Sequence, residues 1–175
     1  MYPDGIETEE AFGYDGWTAS GFLQTITLLK LAGHSPPPQS FVDKVEKMWN
    51  YLVNAEDQFG YSPRDGDMDL GRSGWSQAAT YYFGRSDWTY IHTGGKEGTK
   101  PSGDSASAIF PWGGQAILRN HYEAEGGWVC TIMPSSCCHV EPVCLNCSAM
   151  ACSGCGLTSV PRTAAPVMPT AARMR

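Results

Sequence analysis

The chain has 175 residues, of which 18 are acidic and 12 basic, for a net charge of -6. That balance argues against a nucleic-acid binder, whose surface normally carries a basic face. Hydrophobic residues make up 42%, enough for a packed core, and no run approaches the ~20 apolar residues of a membrane-spanning helix, so neither nucleic acid nor membrane is expected as a partner.

Met1 is followed by Tyr-Pro-Asp-Gly and an acidic run, Glu7, Glu9 and Glu10. Neither the basic nor the apolar region of a signal peptide is present, which leaves the compartment open. Residues 18–32 predict a helix, because Phe22, Ile26 and Leu29 recur at the i, i+4, i+7 spacing of one buried face, with Leu23 beside them. Asp15 or Thr18 can cap its start, Gly33 suits its left-handed end, and Pro36, Pro37 and Pro38 prevent continuation. A second helix is expected over 39–57, opened by a Ser40–Asp43 capping box and carrying the apolar stripe Phe41, Val45, Met48, Trp49, Leu52 and Val53. Two helices joined by so short a turn make an antiparallel hairpin.

Residues 59–72 read as a loop by their Gly and Pro content. A shorter helical pair is expected over 73–83 and 86–92, broken at Gly84, and an exposed connection from Thr93 to Ser107. Residues 115–119 and 128–129 then read as strands around the turn-like segment 123–127. Helices first and strands after predict an α+β fold, or an α domain leading into a β domain.

At residue 130 the composition changes. All seven cysteines lie after Val129, and all the aromatic residues (6 Trp, 8 Tyr, 6 Phe) lie before Cys130. Beyond Val129 the charged residues are Glu141, Arg162, Arg173 and Arg175. Cys144–Cys147 and Cys152–Cys155 are two C-x₂-C pairs, but four residues separate them, against the roughly 15–20 usual in a four-cysteine zinc site. A metal site, a disulfide-rich segment and an unstructured or mistranslated tail are the three readings; the last accounts best for the simultaneous loss of aromatics and charge, so no metal and no cofactor are expected. Asn146–Ser148 also fits a glycosylation sequon.

Several constellations could carry chemistry. Asp65, Asp67 and Asp69 imitate the start of a calcium loop, but Leu70 stands where Gly is needed and Ser76 where a bidentate Glu is needed. A polar loop lining a cleft, with Arg72 neutralising the carboxylates, is the fuller reading. Phe12-Gly13-Tyr14-Asp15-Gly16-Trp17 precedes the first predicted helix, and Trp17 and Trp75 could stack on sugar rings or be partly buried in hairpin packing. His34, His92 and His121 are isolated in sequence and read as surface or capping histidines.

Residues 6–129 resemble heparinase II/III-like proteins, which include alginate lyases. The resemblance is carried by the order of three stretches: Glu7 to Trp17 leading into an apolar helix, Phe59 to Asp69, and Phe110-Pro111-Trp112-Gly113-Gly114-Gln115-Ala116-Ile117-Leu118-Arg119. It implies αα-hairpins from an α/α toroid leading into the first strands of a β-sandwich: a toroid fragment with its connection over 1–107, the start of the sandwich over 108–129, and a Cys-rich, aromatic-free tail over 130–175, disordered and out of frame. It further implies β-elimination on a uronic-acid polysaccharide in a periplasmic or secreted parent. A base removes the proton α to the uronate carboxylate, polar groups neutralise that carboxylate, and an acid protonates the leaving oxygen. Tyr14 is the proton-transfer candidate; Asp15, Trp17, Asp67, Arg72 and Trp75 are the substrate-binding candidates. Lyase members carry tyrosines further along the helix start, where this chain has Thr18 and Phe22, and histidines from the sandwich, where the tail offers His139. The chain is therefore expected to be a fragment, inactive by itself. The alternatives are an α/α-toroid glycoside hydrolase pairing Asp15 with Asp67 or Asp69, and a non-catalytic carbohydrate-binding or structural helical module.

The same comparison bears on the tail. Residues 128–133 can be encoded as TGG GTG TGT ACG ATC ATG, and one G added after TGGGTGTG gives Trp-Val-Trp-Tyr-Asp-His, an aromatic-Asp strand of the kind the family has there.

Overall fold

A computed structural model describes residues 1–8, 11–63, 74–132 and 144–147. Among the described residues, four helices are followed by an antiparallel sheet. Helix α1 spans Phe12–Leu31, α2 Gln39–Ala55, α3 Gln77–Phe83 and α4 Ser86–His92. Strands β1 (Ala108–Phe110), β2 (Gln115–Arg119), β3 (Val129–Ile132) and β4 (Cys144–Cys147) lie side by side in chain order.

Helix α1 starts six residues before the expected position. Its buried stripe is Phe12, Asp15, Ala19, Leu23 and Ile26, so Asp15 lies inside the first turn, and Ala11 stands at the cap position. Phe22, expected at the centre of the buried face, lies at its margin and meets Phe41 of α2 edge-on at 5.3 Å. The far end is as expected: Gly33 takes φ +72, and the Gly33 and His34 amides donate to Lys30 and Leu29 carbonyls. Helix α2 buries Val45, Met48, Trp49, Leu52 and Val53 as its pattern predicts, and Tyr51 and Ala55 besides. The Ser40–Asp43 capping box does not form; Pro38 stands at the cap position, and Asp43 accepts from Gln39 Nε2 at 2.7 Å.

Helix α3 begins at Gln77, four residues later than predicted, with the Ser76 hydroxyl capping the Ala79 amide at 3.3 Å. Gly84 ends it at φ +66. Arg85 then pins the α3–α4 pair to α2: its guanidinium reaches Glu46 at 2.9 Å, Asp87 at 2.7 Å and Asn50 at 3.1 Å, and lies over the fully buried Trp88.

Tyr51 joins helices to sheet. Its ring packs against Phe12 and Phe110, and its hydroxyl donates to Gln115 Oε1 at 2.8 Å in the interior. The amino-terminal segment is tied to the β1–β2 turn, because Asp4 Oδ2 accepts from the Trp112 and Gly113 amides. Gly5, at φ +106, approaches α2 so closely that a Cβ would lie 2.4 Å from the Lys47 carbonyl oxygen. Strand β1 lies ahead of the two segments whose pattern reads as strands and pairs Ala108 with Ile117 and Phe110 with Gln115. Strand β3 pairs Leu118 with Cys130 and runs past residue 129. Cys130 is disulfide-bonded. Within the tail, expected to lack structure, residues 144–147 form β4 against β3. The rest of the tail, with Asp65, Asp67, Asp69 and Arg72, lies outside the described residues. No helix among the described residues is long and apolar enough to cross a membrane.

Candidate functional site

The first turn of α1 gathers three of the predicted residues. Asp15 is fully buried, and its Oδ1 accepts from the Glu7 amide at 2.8 Å. Glu7 Oε2 in turn accepts from the Thr18 hydroxyl at 3.3 Å. The half-buried Tyr14 ring meets Trp17 edge-on at 6.1 Å, and Trp17 is 78% exposed. A buried carboxylate therefore fixes the chain before the helix, while a phenol and an indole stand at its outer side. Asp15 serves as an anchor of that entrance, with its Oδ1 already engaged by the main chain.

The fourth described candidate, Trp75, belongs to a second group built on the end of α2. Glu56 follows the last helical residue and is fully buried. One of its carboxylate oxygens accepts from the Trp75 amide at 2.8 Å, and the other meets His92 Nδ1 at 2.8 Å. The His92 imidazole lies flat on the Trp75 indole, with centroids 4.5 Å apart and planes 6° from parallel. Gly60, at φ +75, lies against the same ring; a Cβ there would be 2.8 Å from His92 Cε1. The hydrogen bond to the Glu56 carboxylate raises the His92 pKa above its ordinary value, against the opposing effect of burial.

Buried Arg119 of β2 closes this corner from behind. Its Nη2 donates to the Glu56 and Asn54 carbonyls at 2.6 and 3.1 Å. A cation there satisfies carbonyls that the helix end leaves unpaired and complements its partial negative charge. Desolvation lowers the Arg119 pKa from its usual value.

Gly74 connects the two groups. A Cβ at this position would come within 2.7 Å of both the Phe12 ring and the Leu52 carbonyl oxygen. The chain carrying Trp75 thus passes directly between the start of α1 and the end of α2. Among the described residues no group of three or more His, Cys, Asp or Glu side chains is arranged to hold a metal ion.

Glu56, His92 and Arg119 were not singled out by sequence reasoning as site residues. Arg119 offered a signal, since a guanidinium on a strand whose alternate residues are buried requires acceptors. His92 and Glu56 lie 36 positions apart, and no local pattern announces their pairing.

No protein-family profile matches the sequence, and no curated protein matches it. Solved structures do. One described as the heparinase III-BT4657 gene product superposes with a TM-score of 0.65 over 76% of this chain, at 22% sequence identity. The fold is heparinase III-like. The same gene product with methylated lysines gives a TM-score of 0.64 at 22% identity. The chain spans about a fifth of the length of these structures, 21% in each case.

Proposed function

We propose that the chain is part of a heparinase II/III-like polysaccharide lyase acting by β-elimination on a uronic-acid-containing polysaccharide. In this reading its helices are an arc of an α/α toroid, and its strands open a β-sandwich. The supporting observation is the heparinase III-like fold over 76% of the chain, with Tyr14 half-buried at the mouth of α1 beside an exposed Trp17.

The chemistry assigned to Tyr14 is proton transfer. The phenolate oxygen takes the proton from the carbon α to the uronate carboxylate. The electron pair forms the C4–C5 double bond as the C4–O bond breaks, and the phenol returns its proton to the departing oxygen. Arg72 and Asp67 are assigned to the carboxylate and the sugar hydroxyls, and Trp17 and Trp75 to the apolar sugar faces. Asp15 holds the entrance segment through the Glu7 amide, which favours the lyase over a hydrolase using Asp15 as one of two catalytic carboxylates.

The test is made on the native full-length protein with a panel of uronate polysaccharides. Cleavage is expected to leave an unsaturated uronate that absorbs in the ultraviolet, and Tyr14→Phe to lower kcat by about 100-fold or more, the usual range for loss of a proton-transfer group. New reducing ends without ultraviolet absorption would point to hydrolysis instead. Binding without turnover would point to a carbohydrate-binding module.

A further inference from the structure

The Glu56–His92–Trp75 corner carries chemistry that the proton-transfer assignment does not use. His92 Nδ1 is held by Glu56, whereas Nε2 meets no hydrogen-bond partner among the described residues, and the side chain is 24% exposed. Trp75 covers one face of the ring, and Gly60 lies against its Cε1 and Nδ1 edge. On either side of Gly60 stand two exposed aromatics, Phe59 at 62% and Tyr61 at 40%. Two other charged groups of this corner make main-chain contacts. Arg119 Nη2 serves main-chain carbonyls, and Asp57 Oδ1 accepts from the Phe59 and Tyr61 amides. A held, partly exposed imidazole against a turn that carries two exposed aromatic residues matches an acidic sugar, which offers a carboxylate together with apolar C–H faces.

We propose that His92 is a substrate contact, its Nε2–H donating to the carboxylate of a uronate residue whose ring lies against Phe59 and Tyr61. Glu56 and Trp75 are positioning residues for that imidazole. Glu56 fixes the tautomer and favours the doubly protonated form, as its effect on the His92 pKa indicates. The inference rests on the acidic-polysaccharide reading above and adds to it a recognition site apart from Tyr14.

The experiment uses the native full-length protein, unsulfated uronate tetrasaccharides as probes, and their carboxyl-reduced neutral counterparts. Imidazole ¹⁵N resonances are followed in the unmodified protein, so that no variant need fold for the result to count. The His92 Nε2 resonance is expected to shift with the uronate probe and to stay in place with the neutral one. His92→Gln is expected to weaken uronate binding about tenfold or more, the factor one charge-assisted hydrogen bond supplies, and to leave neutral-probe binding unchanged. If the uronate binds with the His92 resonance unmoved and His92→Gln binds equally well, the contact is wrong and the polysaccharide reading stands. If both probes move His92 alike, carboxylate recognition is wrong. If neither probe binds the unmodified protein, both readings fall.

Discussion

At 2.8 Å from a fully buried carboxylate, the His92 imidazole couples the stability of this corner to its protonation. Its folded pKa is raised above the ordinary 6.5, so the folded state holds the proton more tightly than the unfolded chain does. The sign follows from proton linkage. The pair's contribution is fully present below about pH 6.5 and is lost as pH rises through the folded-state value. The melting temperature is therefore expected to fall as pH rises above about 6.5, and His92→Gln to flatten that slope in a calorimetric pH series. Glu123 has the opposite sign. Lys100 Nζ at 2.9 Å, its own backbone amide and the Tyr90 hydroxyl at 2.9 Å together lower its pKa to about 2. Its contribution is present above about pH 4.5 and disappears as pH falls towards 2, and solvent exposure keeps it small. None of these pairings can be read from sequence, since each joins residues from elements that meet only after folding. His92 therefore looked like an isolated surface or capping histidine. Arg119 was legible only as the end of a strand, because its partners are main-chain carbonyls that carry no side-chain signature.

Elements were more legible than contacts, and the errors have physical causes. Gly33 and Gly84 ended their helices as expected, because left-handed backbone at φ +72 and φ +66 favours glycine. The start of α1 was misplaced because Gly13 and Gly16 lower helix propensity just where the helix begins. Burial of Phe12 and Asp15 against α2 and the amino-terminal segment overrides that preference. The same propensity cost gives a sharp prediction. Gly21 lies in the exposed interior of α1, its φ is not positive, and a Cβ there would meet nothing within 4 Å. Gly21→Ala is expected to stabilise the protein by about 0.5–1 kcal/mol, read as a melting temperature raised by roughly 1–4 °C. Ser76→Ala should act in the reverse direction, since it removes the hydroxyl that receives the Ala79 amide. A loss of about 1 kcal/mol is expected in chemical denaturation, with the midpoint lowered and the slope unchanged. An unchanged midpoint would mean that the α3–α4 pair is held by Arg85 and Trp88 alone.

For the whole molecule, the question is where the residues suited to this fold stop. The sheet does not answer it, since β3 crosses the compositional boundary at Val129 and pairs with β2 through main-chain groups that any residue but proline supplies. Side chains discriminate better. Before Cys130 the chain carries all of its aromatic residues, among them Tyr51, Phe110 and Trp88, which pack helices to one another and to the sheet. Beyond Val129 there is no Trp, Tyr, Phe, Lys or Asp, although strands favour aromatic and β-branched residues. A one-base shift accounts for both losses at once, because every codon downstream is then read in a frame never selected to encode a protein. The coding DNA of the source is expected to restore Trp-Val-Trp-Tyr-Asp-His in place of residues 128–133 when one G is added after the second base of codon 130, followed by a continuation rich in aromatic and charged residues. Sequencing of the locus, with peptide mass mapping of the native protein, checks this. Tryptic or chymotryptic peptides matching residues 130–175 would overturn it, and the cysteine pairs would then have to be explained as part of the fold.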